Sequence, residues 1–214
     1  MNTNKEVRAF HSDSIELRKA AKASDNEQKY VDGIGVVYEK EEMIYDNYYE
    51  QVSRDAFKNC LSTKPEIKSF FNHNPDYVLS TSTSNPALQL TDLGDGLFFS
   101  SPIPDTSYGR DLEENLKRKN VVGASFTFSV NRDNVTVDEK GCYHRTILDA
   151  TIYEVGPVTS PAYLQTQVSL RDRDSLLDEA KKRTTTSDVA ELKAIQDKEN
   201  EYRRNLISLL EINN

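Results

Sequence analysis

Up to about Leu170 the chain alternates apolar and polar residues in short runs with a period of two, the pattern of half-buried strands. Val7–Phe10 is a weak strand signal, and the polar residues 19–29 read as a surface connection. Tyr30–Tyr38 is a clearer strand, and Gly33 and Gly35 inside it suggest a bulge or a close backbone approach. Ile44–Val52 reads as another strand or an irregular aromatic segment, after which 53–57 can begin a short helix with Ser53 as its cap. Ile67–Phe71 is extended and runs into the turn residues Asn72–Asp76, with a strand resuming at Tyr77–Leu79. Ala87–Leu90 and Leu97–Phe99 flank Asp92–Gly96 as a hairpin. Thr106 or Ser107 can cap a helix ending near Lys119, with Leu112 and Leu116 on its buried side. Two longer strands, Val122–Asn131 and His144–Val155, are joined through the turn Asp138–Gly141.

Beyond Leu170 the period changes. Thr184–Ser187 reads as part of a linker over 171–187, and Asp188 with Glu191 resembles a capping box. Leu192, Ile195, Glu199, Tyr202, Leu206 and Leu209 then recur at helical spacing, so 188–214 is expected to be a charged amphipathic helix. Its seam, broken at Glu199, suits either a solvated helix or one that meets a partner or a second copy. The expected organisation is a body over 1–170, a linker over 171–187 and a helical tail over 188–214.

Charge narrows the function. With 27 Lys and Arg against 35 Asp and Glu the net charge is −8, which gives no electrostatic hold on a phosphate backbone and argues against nucleic-acid binding. No apolar run is long enough to span a bilayer, and the polar start Met1–Arg8 argues against secretion and for the cytoplasm. Cys60 and Cys142 belong to no Cys-x-x-Cys pair, and Cys142 with His144 falls short of a metal ligand set, so no metal or cofactor is expected.

Three residues carry candidate chemistry. Ala124, Phe126, Phe128 and Val130 make one apolar face, which leaves Ser125 on the other, near the start of its strand with room for a substrate. It is no Gly-x-Ser-x-Gly elbow, because Thr127 fills the last glycine position, and it reads equally as an ordinary polar strand residue. His73 lies in the Asn72–Asp76 turn and either serves as a base or organises the turn. On the later strand the apolar register Leu148, Ala150, Ile152 extends to Glu154, an inward carboxylate that needs a partner unless it turns into solvent at the strand end. A hydroxyl, an imidazole and a carboxylate together suit nucleophilic acyl transfer, since the imidazole takes the hydroxyl proton and the carboxylate fixes the imidazole. Spacing alone does not bring them together. A cysteine hydrolase using Cys60 or Cys142 with His73 or His144 is the weaker alternative, for want of a setting that would lower a thiol pKa.

From Tyr30 to Val168 the chain resembles the prohead maturation proteases of tailed phages, through four blocks in that family's order. These are Gly33-x-Gly35 followed by Asp55-Ala56-Phe57; Phe70-Phe71-Asn72-His73-Asn74-Pro75; Pro104-Asp105-Thr106 with Gly109-Arg110-Asp111-Leu112 leading into Gly123-Ala124-Ser125-Phe126-Thr127-Phe128; and Tyr153-Glu154-Val155-Gly156 through Tyr163. The resemblance implies an α+β, herpesvirus-assemblin-like fold, with a β-barrel core of mostly antiparallel strands flanked by helices. It implies a serine endopeptidase with Ser125 as nucleophile, His73 as general base and Glu154 as third member, a place that Asp149 or His144 could also fill. It further implies an enzyme packaged inside the prohead that cuts the major capsid protein's scaffolding portion, or a separate scaffold, and itself. A homodimer is suggested by the distant herpesvirus relatives only. A non-catalytic assembly protein that keeps the fold is the alternative. The chain departs from the family in carrying Gly156 where a serine often follows Glu-Val.

Overall fold

The longest strands set the frame. In the computed structural model, which describes residues 5–11, 15–19, 28–160 and 178, β10 (Gly123–Val137) and β11 (Tyr143–Val158) form an antiparallel hairpin. The turn Asp138–Gly141 joins them, with the Asp138 carboxylate accepting the amides of Lys140 and Cys142. On one side β10 pairs antiparallel with the edge strand β1 (Glu6–His11). On the other, β11 pairs in parallel first with β5 (Tyr48–Val52) and then, at Glu154, with β6 (Lys68–Phe70). β4 (Glu42–Tyr45) closes a hairpin on β5, and β7 (Val78–Thr81) one on β6.

A second sheet runs β2-β3-β9-β8, from Glu16–Lys19, Lys29–Val37, Gly96–Ile103 and Gln89–Asp92. The apolar face of β10 packs towards it. Val31, Val36, Leu97, Phe99, Phe126 and Phe128 are almost wholly buried, with Phe57 edge-on to Phe126 at 5.9 Å. The double glycine of β3 sits at a bulge between Ile34 and Val36, and a Cβ on Gly35 would lie 2.5 Å from Val155 Cγ2. Both the expected bulge and the expected close approach are present. Helix α2 (Ser107–Lys117) is capped by Thr106, whose hydroxyl accepts the Gly109 amide at 3.1 Å, and buries Leu112 and Leu116.

Three expectations change, and one strand is added. Among the described residues the strands form two sheets of seven and four, each with its own edges, and no closed barrel. Ile44–Val52 divides into two strands, because Asn47 takes a positive φ of 63° and turns the chain back on itself. The short helix is α1 (Lys58–Ser62), later than expected: a turn that returns the Ala56 amide to the Ser53 carbonyl fills 53–57 instead. Glu16–Lys19 is a strand although its sequence is almost entirely polar. The expected linker over 171–187, apart from residue 178, and the tail helix over 188–214 lie outside the described residues.

The edge strand β1 is held by charge. Arg8 donates to Glu50 at 2.6 and 3.0 Å and to Glu6 at 2.7 Å, while Arg145 donates to Glu6, Glu50 and Asp133 at 2.8–3.1 Å. Arg8, Glu50 and Arg145 are buried. Burial alone would raise the Glu6 carboxyl, but Arg8 and Arg145 outweigh it and hold that group below the usual carboxylate range.

Candidate active site

His73 stands between the two other candidates. Its Nε2 lies 2.5 Å from Ser125 Oγ and its Nδ1 2.8 Å from Glu154 Oε1. The second carboxylate oxygen of Glu154 accepts the Thr127 hydroxyl at 2.9 Å, so the carboxylate is fixed at both ends. Ser125 is fully buried and Glu154 is 8% exposed, whereas the His73 side chain is 26% exposed. A hydroxyl, an imidazole and a carboxylate in this order form a relay through which a proton can leave the hydroxyl while the carboxylate stabilises the charged ring.

The carboxylate reaches the site because β11 is irregular. Thr127 faces Glu154, but the next residue of β10, Phe128, faces Ile152, so Tyr153 is an extra residue in β11. A bulge of this kind turns the following side chain to the opposite face. The apolar register therefore passes from Ile152 to Val155, which faces Phe126, and Glu154 joins Thr127 and Ser125 on the other face. The extended register Leu148, Ala150, Ile152, Glu154 is corrected here: Glu154 lies across from Thr127, not in the apolar row.

The imidazole is delivered by a strained turn. Asn72 and His73 both take left-handed φ values, 54° and 57°, a conformation that costs an ordinary residue roughly 1–2 kcal/mol. Asn72 tethers the turn to the end of β11: its amide donates to the Pro157 carbonyl at 3.1 Å and its Oδ1 accepts the Thr159 amide at 2.9 Å. Neither Asn72 nor Thr127 stood out as a site residue in the sequence. Thr127 could have been found from its place two residues after Ser125 on the same face; the Asn72 tether had no local signal.

Gly156 pairs with Ser125 across the hairpin, and the backbone of Phe70 lies directly upon it. A Cβ at 156 would fall 2.2 Å from the Phe70 carbonyl oxygen, so this chain has no room for a side chain at that place. Gly156→Ala is expected to push β6 outward, lower stability by about 3 kcal/mol and cut activity at least tenfold, because His73 follows Phe70 by three residues. Thermal melting and turnover measured on the same preparation check this.

The other candidates lie elsewhere in the hydrogen-bond network. His144 stacks on Tyr49 and meets Glu41 at 2.7 Å and Asp138 at 3.5 Å, contacts that raise its pKa, the Glu41 hydrogen bond most of all. Asp149 faces Arg132 and accepts Asn59 at 3.4 Å. Both cysteines are free, and burial pushes the Cys60 thiol up, away from the thiolate that a cysteine hydrolase needs. Among the described residues no group of three or more His, Cys, Asp or Glu is placed to hold a metal, and no helix is long and apolar enough to cross a membrane.

The sequence profile of the family described as Caudovirus prohead serine protease matches residues 14–182. The chain belongs to this family. It is therefore a phage-type serine peptidase of capsid maturation. Among solved structures it is similar in fold to the capsid assembly protease gp21 of bacteriophage T4, with a TM-score of 0.50 at 11% identity, covering 72% of this chain and 96% of that one. No curated protein matches. Of the four sequence blocks that suggested the family, the match spans all.

Proposed function

We propose that this family member is a serine endopeptidase that works inside the prohead on the scaffolding portion of the major capsid protein, or on a separate scaffold, and on itself. The observation that carries the reading is His73, bonded at one nitrogen to Ser125 and at the other to Glu154. Ser125 Oγ attacks the peptide carbonyl as His73 Nε2 takes its proton. Glu154, braced by Thr127, holds the imidazole by Nδ1–H and stabilises it while it is charged. The proton then passes to the departing amine, leaving an acyl-enzyme that water hydrolyses by the same relay in reverse. Neither a metal nor a cofactor is needed for these steps.

One observation favours the non-catalytic alternative, an assembly protein that only keeps the fold: Ser125 has no exposed surface. Co-expression with the capsid protein of the same phage, followed by intact-mass measurement of both chains, separates the two. Shortening of the capsid protein, unaffected by Cys60→Ser and Cys142→Ser, is the expected result. Two uncut chains in assembled particles would make it an assembly protein, and loss of cutting in the cysteine variants would restore the cysteine reading.

Glu154→Gln is expected to lower the rate of cutting by about 10²–10⁴-fold, a smaller loss than removal of the nucleophile, since the amide still fills the space but cannot neutralise a charged imidazole. Turnover of a capsid-derived peptide measures it.

A further inference from the structure

Ser125 is covered by the chain's own first strand. β1 pairs with β10 from Glu6 opposite Phe128 to His11 opposite Gly123, and Ala9 faces Ser125. The Ser125 hydroxyl donates to the main-chain oxygen of Arg8 at 2.8 Å, while the same oxygen atom of the serine lies 2.5 Å from His73 Nε2. A serine hydroxyl carries one proton, so when it serves the Arg8 carbonyl it is not being handed to the imidazole. The hydroxyl that bonds the Arg8 carbonyl is the idle form of the nucleophile, and the same geometry offers the imidazole as its other partner.

The Arg8 side chain points to what that place accepts. Its guanidinium meets both oxygens of the buried Glu50, at 2.6 and 3.0 Å, and lies 5.6 Å from the centre of the Phe128 ring. Were β1 to leave, Glu50 would keep Arg145 but lose both Arg8 donors, a loss that another basic side chain entering from the β10 edge would make good. The family match begins at residue 14, after β1, so the matched segment by itself leaves the β10 edge unpaired. Such an edge is a template for a further strand.

We propose that β1 occupies the substrate's path. A polypeptide substrate displaces β1, pairs antiparallel with β10 in the same direction, and presents to Ser125 the carbonyl of a basic residue whose side chain enters the Glu50 pocket. β1 is thus a built-in competitor, and the enzyme is active in proportion to how often the edge is vacated. This rests on Ser125 being the nucleophile.

The test measures how fast two peptidyl diphenyl phosphonates, one with an arginine-like and one with a leucine-like side chain, label Ser125 in the full chain. Arg8→Ala, which loosens β1, is expected to label at least tenfold faster than the unaltered protein. Because that variant can also unfold, a second one ties the strand reversibly: His11→Cys with Gly123→Cys, at facing positions, is expected to label at least tenfold more slowly when oxidised than when reduced. The arginine-like probe is expected to react at least tenfold faster than the leucine-like one, an advantage that Glu50→Gln removes. Equal labelling of the oxidised and reduced tethered forms would show that β1 is not in the path and overturn the proposal while leaving the nucleophile standing. Equal reaction of the two probes would overturn the basic pocket. No labelling of Ser125 in any variant would overturn the nucleophile, and the proposal with it.

Discussion

Ser125→Ala is expected to leave a folded protein that cuts nothing. Alanine removes one hydroxyl from a fully buried site, and the hydroxyl's partners, the Arg8 carbonyl and the His73 ring, keep other contacts in the sheet and with Glu154. Without an atom to form the acyl-enzyme the rate should fall by about 10⁴–10⁶-fold, the loss typical of removing a nucleophile. In co-expression with the capsid protein both chains should keep their full mass, and the melting temperature should stay within a few degrees of the unaltered protein. Cutting at an undiminished rate would remove Ser125 from the chemistry altogether.

His73→Ala should be nearly as damaging to turnover, by about 10³–10⁵-fold, because the hydroxyl loses the group that takes its proton. A second substitution separates this chemistry from the strain in the turn. His73 holds a φ of 57°, which glycine adopts freely and alanine does not. His73→Gly should therefore be equally inactive yet about 1 kcal/mol more stable than His73→Ala. A pair of variants with the same rate and different melting temperatures would show that the loss of activity comes from the missing imidazole and not from a distorted turn. If His73→Gly kept substantial activity, the base would have to be sought elsewhere.

Much of the β10–β11 hairpin was legible because its information is local. Ala124, Phe126 and Phe128 alternate with polar residues, and the structure buries them as the period of two requires. The helix cap at Thr106 and the Asp92–Gly96 hairpin were local in the same way. Glu154 was singled out for its place in an apolar row. The structure puts it beside His73 for a different reason, the extra residue at Tyr153, and a bulge leaves no distinct mark in a pattern of apolar and polar positions. The turn at Asn72–Asp76 was evident from its composition, but its left-handed backbone was not, since His73 tolerates that conformation only because Asn72 is tied to Pro157 and Thr159. The importance of the first strand was hidden most deeply. Val7–Phe10 is a weak signal alone, and what secures it are partners 42 and 139 positions away. The two-sheet arrangement in place of a barrel likewise depends on which strand edges meet, which alternation does not encode.

The covering of Ser125 by Arg8 joins residues 117 positions apart, and this sets an order of events during synthesis. When the first strand leaves the ribosome its partner has not been made. At about 5–20 residues per second the wait is roughly 6–25 s. During it Arg8 and Glu6 have only each other and, once it is made, Glu50, because Arg145 emerges later still. The nucleophile and its cover thus come together in one late step, and a newborn chain has no interval in which β10 is paired with β11 while its outer edge has never had a cover to recruit. In a peptidase of capsid maturation, the order of translation would itself supply the cover before the nucleophile.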